Sequence, residues 1–316
     1  QLRRNPGTLP SRVADNLFWL GRYLERGEAL LGVIRVLLGN SISADTGAAL
    51  SAATLGRLVA LVVDGGAAPR PAAMGRSELL ELARTALEDD GAFHSVRAIN
   101  RQARAIGDVS RDRLAADMMR LLDAPFPTRG GMLDSAGSLQ RRYAALAGLG
   151  AEHMARTDAW RFVDLGRRLE RAMAIARTLG QFVHDDVTGD DLSALLDLAD
   201  SQISYRQRYM AGLARVAVFD LIAFDPGNPR GLTFQIDHIG DHLAHLPVLS
   251  DDGLAEPQQA RADEIAAVMK TWRAADLDGA MLGDINRRLA GLSDAISRRY
   301  FLHGTEALRS GGLTLA

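Results

Sequence analysis

Two seven-residue segments, LGRYLER at 20–26 and LGRRLER at 165–171, agree at six of seven positions across an offset of 145. Each sets an arginine, a glutamate three residues later and a second arginine directly after it: Arg22, Glu25 and Arg26, then Arg167, Glu170 and Arg171. On a helix these three side chains project in neighbouring directions. Leu20 and Leu24, or Leu165 and Leu169, form an apolar stripe beside them. Such a cluster supports two readings. Glu25 and Glu170 satisfy arginines from neighbouring helices in a buried network that fixes the structure. Alternatively, spare guanidinium donors surround a carboxylate or phosphate ligand. Both readings bring the two segments to a common cleft. A catalytic alternative makes Glu25 or Glu170 a general base; the adjacent arginines lower a carboxylate's proton affinity and disfavour an acid role.

Further arginines extend the anion-binding reading. SYRQRY at 204–209 sets Arg206 beside Tyr205 and Tyr209, and SRRYF at 297–301 offers Arg298. Arg12 and Asn16 lie one helical turn apart, and Arg97, Arg101 and Arg104 point in related directions. DHIGDHLAH at 237–245 spaces His238, His242 and His245 along one helix side with Asp237 and Asp241 adjacent. Zinc accepts such ligands, but a solvent-facing histidine cluster is the simpler reading, so no metal is assigned. P-loop, GxGxxG, GxSxG and HExxH patterns are absent.

The elements that position these residues read as helices throughout. Apolar residues recur at three- and four-residue spacing over 13–38, with Ser11 as the cap, and again over 50–63, 77–87, 93–122, 133–149, 157–183, 192–211, 213–221, 232–246, 260–275 and 281–301. A turn and cap are expected at 41–46, a loop at 65–75, breaks at 124–131 and 184–191, and the strongest turn at FDPGNPRG, 224–231. No alternating strand pattern appears. The expected fold is an all-α, large multi-helix antiparallel bundle with a polar Arg/Glu-rich interior. Residues 1–10 read as a lead-in linker, 11–304 as the helical domain divisible into halves 11–149 and 151–304, and 305–316 as a mobile tail.

Composition narrows the function classes. Of 316 residues, 47% are apolar but only 5% aromatic, so aliphatic side chains and alanine fill the core. Cysteine is absent, which removes disulfides, thiolate nucleophiles and cysteine metal sites. A net charge of −2 gives no bulk attraction to nucleic acid or anionic membrane, and no run is apolar enough to cross a bilayer. A cytoplasmic location is expected. Lys270 is the one lysine among 37 basic residues, a bias toward the planar fork that suits carboxylates and phosphates.

The segments SRVADNLFWLGRYLERGE (11–28), DAWRFVDLGRRLERAMAIARTL (158–179), LLDLADSQISYRQRY (195–209) and LIAFDPGNPRGLTFQ (221–235) together resemble the bacterial alpha-E domain family. The similarity runs over residues 9–304. It implies a helical domain that is a partner of, or is fused to, a circularly permuted ATP-grasp protein, with transglutaminase-like proteases as neighbours. Peptide ligation or modification follows as the expected setting. The chain is then expected to be the C-terminal part of an ATP-grasp/alpha-E fusion, with no cofactor of its own and with ATP and Mg used by the associated ATP-grasp region. The signature residues carry over to Arg22, Glu25, Arg26, Arg167, Glu170, Arg171, Tyr205, Arg206, Tyr209, Asp225, Asn228 and Arg230. Gly27 stands where the resemblance leads one to expect a small helix former such as alanine. The function expected is a non-catalytic, substrate-positioning accessory domain that binds an acidic or peptide-like ligand. A peptide-modifying or hydrolytic enzyme and a purely structural interaction bundle are the alternatives.

Overall fold

The computed structural model describes residues 9–39, 50–92, 94–210, 212–248 and 253–301. Among them there are thirteen α-helices and no strand. The expected turn at 41–46 and tail at 305–316 lie outside the described residues, as does most of the lead-in.

Helix starts follow local chemistry. Ser51 and Ser95 accept backbone N–H bonds from Thr54 and Ala98 and so cap α2 (Ala52–Asp64) and α4 (Val96–Val109). Thr188 and Asp191 form a reciprocal capping box on α8 (Gly189–Leu198). Asp278 caps α13 (Gly279–Tyr300), and Pro257 opens α12 (Pro257–Thr271) at the position where its missing N–H costs nothing. In α1 (Ser11–Leu37) Ser11 is already the first helical residue and Pro10 holds the cap position without a side-chain bond, so serine is not the cap there. The remaining helices are α3 (Arg76–Glu88), α5 (Ala116–Asp123), α6 (Met132–His153), α7 (Asp158–Phe182), α9 (Gln202–Arg208), α10 (Arg215–Phe219) and α11 (Leu232–His245).

Two expected long helices are each broken. The periodicity over 93–122 divides into α4 and α5 through a 3-10 turn at Arg111–Arg113. Both pieces bury an apolar face (Ile99 and Ala103; Met118 and Leu122), so the stripe continues although the axis does not. The stretch 192–211 divides at Ala199–Ser201, where Asp200 adopts φ 46°, a left-handed conformation that Asp tolerates better than most residues. α8 also begins inside the expected break at 184–191. The 213–221 element is α10, continued by a π-helical turn Asp220–Phe224.

Among the described residues, α1 and α7 make the most extensive packing contact. Their contacts climb together: Gly21 faces Val163 and Arg167, and Arg26 reaches Glu170. The two helices therefore run in the same sense. α13 returns against both, and Phe301, just past its end, packs at a tilt against Phe18 and Phe162 with ring centroids 5.4 and 5.6 Å apart. α11 runs back along α7 and α6 along α1. No described helix is long and apolar enough to cross a membrane.

The seam between α1 and α7 depends on two glycines. A Cβ on Gly21 would press into the Val163 carbonyl oxygen and lie 2.9 Å from the Arg167 nitrogen. A Cβ on Gly166 would press into the Phe18 carbonyl oxygen and lie 3.3 Å from the Arg22 nitrogen. The approach is backbone to backbone, and it is reciprocal across the same 145-residue offset.

Candidate functional site

Close approach at the glycines brings each glutamate beneath the other helix's arginines. Arg22 Nε donates to Glu170 Oε2 at 2.8 Å, and Arg26 donates to both Glu170 oxygens through Nε and Nη2 at 3.0 and 3.1 Å. Reciprocally, Arg167 Nε donates to Glu25 Oε1 at 3.0 Å, and Arg171 donates to both Glu25 oxygens through Nε and Nη2 at 2.8 Å each. Both glutamates are buried. Each carboxylate takes one arginine that forks across both its oxygens and a second guanidinium on one of them, which supplies the pairing a buried charge requires.

The inner guanidiniums are also committed beyond the glutamates. Arg22 Nη1 donates to Ser293 Oγ at 2.8 Å and its guanidinium lies 4.6 Å from the Trp19 ring centroid. Arg167 Nη1 donates to Asp164 Oδ1 at 3.2 Å. Asp164 also takes Arg168 Nε at 3.0 Å and sits 2.7 Å from His242 Nε2. The inner arginines of the repeated motif, Arg22 and Arg167, are therefore committed to a clasp between helices.

Burial alone would push these carboxyls up, but the guanidiniums outweigh it. Glu170 is held down to about 2 by Arg22 and Arg26, with help from Arg177. Glu25 is held below its ordinary value by Arg171 and Arg167, and Asp164 by His242, Arg168 and Arg167. Neither glutamate keeps a proton to donate near neutrality. The sign of the pH effect follows. Glu170's stabilisation is full above its unfolded value of 4.5 and is lost as pH falls toward about 2. The loss is on the order of 3 kcal/mol across that window. Urea unfolding at pH 6 and pH 3 should show the larger part of it, about 2 kcal/mol, as an extra loss in the parent chain over Glu170→Gln; equal losses in both would remove Glu170 as the origin.

A cavity of about 100 Å³ opens beside the clasp. Glu25, Glu28 and Gly32 of α1 and Arg171 and Ile175 of α7 line it, with Asp200, Ile222 and Arg230 opposite. Arg230 Nη2 donates to Glu28 Oε1 at 2.8 Å and lies 3.3 Å from Asp200 Oδ2. The FDPGNPRG turn presents this arginine. Asn228 anchors the turn by donating to Ser201 Oγ and the Leu221 carbonyl, and Asp225 accepts the Gly227 N–H at 2.9 Å.

The other sequence candidates lie elsewhere. Tyr205 is buried, donating to the Gly212 carbonyl and accepting the Ala214 N–H. Tyr209 donates to Asp220 Oδ2 at 2.9 Å, Arg208 pairs with Asp225, and Arg206 is exposed. This segment braces a turn and does not join the cleft. Arg12 and Arg298 are exposed and Asn16 is half-buried, all outside the clasp; Arg299, next to Arg298, is the one that pairs, with Glu256. Arg97 lies over Phe126, Arg101 pairs with Asp90, and Arg104 is 3.4 Å from Asp123, so these three serve local contacts. The histidines do not converge. His238 stacks on Phe234, His242 is buried against Asp164, and His245 is exposed beside Asp241. No group of metal-ligand type assembles among the described residues.

Gly27 is not a looser substitute for alanine. A Cβ there would lie 2.5 Å from the Tyr143 hydroxyl, so the glycine makes room for α6. Sequence reasoning also missed Glu28, Asp164 and Arg177, which supply the outer partners of the clasp. Glu28 and Asp164 sit three residues from Glu25 and Arg167, a helical spacing that marks them as neighbours.

The sequence profile of Alpha-E, described as a predicted alpha-helical domain with a conserved ER motif, matches residues 9–301. Glu25–Arg26 and Glu170–Arg171 are Glu-Arg pairs of that kind. An uncharacterized protein of Mycobacterium bovis and two of Mycobacterium tuberculosis are each 26% identical over 323 residues, covering 89% of this chain. The chain spans 34% of the length of those relatives. No solved structure matches.

Proposed function

The chain belongs to the Alpha-E family, and from that premise we propose that it is a substrate-positioning domain, in which the Glu-Arg clasp builds a binding cavity without itself performing chemistry. The carrying observation is the cavity beside Glu25, where carboxylates, arginines and aliphatic side chains share one wall. Glu28 and Asp200 suit an amino group, and Arg230 suits a carboxylate. Arg230 is about one-third exposed, and its ion pairs here run through Nη2, so Nε and Nη1 have donors to offer. A ligand with both charges and a short apolar part, such as a peptide end, matches this set. Both clasp glutamates are doubly bound and deprotonated, which favours holding over proton transfer.

The reading extends to an ATP-grasp partner or fused region that supplies ATP and Mg chemistry, in a cytoplasmic peptide-ligating or peptide-modifying system. A transglutaminase-like protease is the further proposed partner. The resemblance motivates this setting, and the relatives' greater length accommodates such a region.

The test is calorimetric titration of the full chain with L-alanyl-L-glutamate. Binding is expected, weakened about tenfold (~1.4 kcal/mol) in Arg230→Gln with the fold retained. Absence of binding, or equal affinity in the variant, would overturn the assignment of this cavity. The partner is tested separately by affinity capture from the native host, where recovery of an ATP-grasp protein is the expected result.

A further inference from the structure

The clasp has two sides, and the second side also opens a cavity, of about 80 Å³. Its lining obeys the 145-residue offset. Positions 26, 29, 30 and 33 of α1 line it, and their counterparts 171, 174, 175 and 178 of α7 line the cavity beside Glu25. In the reverse direction, 174, 177 and 178 of α7 replace 29, 32 and 33 of α1. The two cavities are pseudo-equivalent, and Ala29, Val33, Ala174 and Thr178 line both.

Two exchanges reverse the charge. Where α1 carries Glu28, α7 carries Met173; where α1 carries Gly32, α7 carries Arg177. Around Glu25 the charges balance: Arg167, Arg171 and Arg230 meet Glu25, Glu28 and Asp164. Around Glu170 they do not. Arg22, Arg26 and Arg177 share Glu170, the one carboxylate facing them among the described residues. Arg177 lies 3.6 Å from it, beyond a good hydrogen bond, and is nearly half exposed. Crowded guanidiniums in a partly buried place repel one another unless an anion joins them. Leu30, Leu61 and Val62 give the same cavity an apolar wall.

We propose that the cavity between α1, α2 and α7 is a second binding site, for a carboxylate or phosphate group carried on a short apolar stem, with Arg177 and Arg26 as its donors. It stands apart from the peptide-like ligand assigned to the first cavity and does not require it. The excess guanidiniums receive the anion, and the stem lies along Leu61 and Val62.

The test titrates the full chain with hexanoate, hexyl phosphate, inorganic phosphate and hexanol, followed by NMR or calorimetry. Both hexyl anions should bind at least tenfold more tightly than hexanol, and whichever of the two binds better identifies the headgroup. Inorganic phosphate should bind more weakly than hexyl phosphate, since it lacks the stem. Arg177→Gln should lose at least tenfold, while Arg298→Gln, exposed and outside both cavities, should leave these affinities unchanged. Leu61→Glu provides a second variant: it supplies a carboxylate from the facing wall and should block the anions with every arginine intact. Anions binding no better than hexanol, or undiminished binding in either folded variant, would overturn the site.

Discussion

Replacing Gly166 with alanine is expected to destabilise the chain by about 3 kcal/mol or more, the same change at Gly21 by a similar amount, and Gly32→Ala not at all. The new Cβ at 166 would enter the Phe18 carbonyl oxygen, and at 21 the Val163 carbonyl oxygen. Backbone has no rotamer with which to yield. The helices would have to separate, and separation also stretches the reciprocal ion pairs, whose strength depends on distance and on exclusion of water. Gly32 sits in the same helix with nothing within 4 Å of an added Cβ. There alanine should gain roughly 0.5–1 kcal/mol of helix propensity. Urea unfolding of the three variants checks the contrast. If Gly166→Ala and Gly32→Ala unfold at the same denaturant concentration, the seam is not close-packed.

The second large effect is expected at the clasp itself. Glu170→Gln keeps the shape but removes the charge that Arg22 and Arg26 share. Arg22 is buried with Ser293 and Met173 as its other partners, and neither carries charge. Stranding it should cost about 3–5 kcal/mol. The pair is not thereby worth that much. Removing Arg22 together with the carboxylate, as in Arg22→Met with Glu170→Met, deletes both desolvation costs and should cost less than the sum of the single changes by more than ~1 kcal/mol. Equilibrium unfolding of the four chains gives the cycle, and strict additivity would show that Arg22 and Glu170 do not interact. Glu25→Gln should fall short of Glu170→Gln, because Asp164 and Glu28 still neutralise Arg167 and Arg171.

The sequence carried the helices well where one apolar stripe meant one axis, as in α1 and α7. It failed at 93–122, because α4 and α5 fold back on each other around Gly107 and keep their stripes in phase; Leu122 and Met119 pack at that glycine. It failed again at Asp200, since the left-handed turn there is made without glycine. The reciprocal clasp was partly legible. Repetition of LGRxLER pointed to a shared polar contact, and the i, i+3, i+4 spacing set three charges on one face. The same sense of α1 and α7 was not legible, because periodicity is blind to direction across 120 residues of intervening chain. Nor was the difference between the two cavities, which rests on Met173 and Arg177, ordinary helix residues until the offset pairs them with Glu28 and Gly32. Tyr205, Arg206 and Arg298 illustrate the converse. Arginine beside tyrosine reads as an anion site, yet the packing of α9 and α13 turns these residues toward a loop or outward.

The glycine seam has a consequence for how the chain is made. Its partners are separated by 142 to 148 positions, so the clasp cannot form until α7 has left the ribosome. Until then Arg22, Glu25 and Arg26 must stay hydrated on a nascent α1 whose leucines already seek cover. The first half therefore waits with its charges in water and its groove vacant, and arrival of the second half dries both at once.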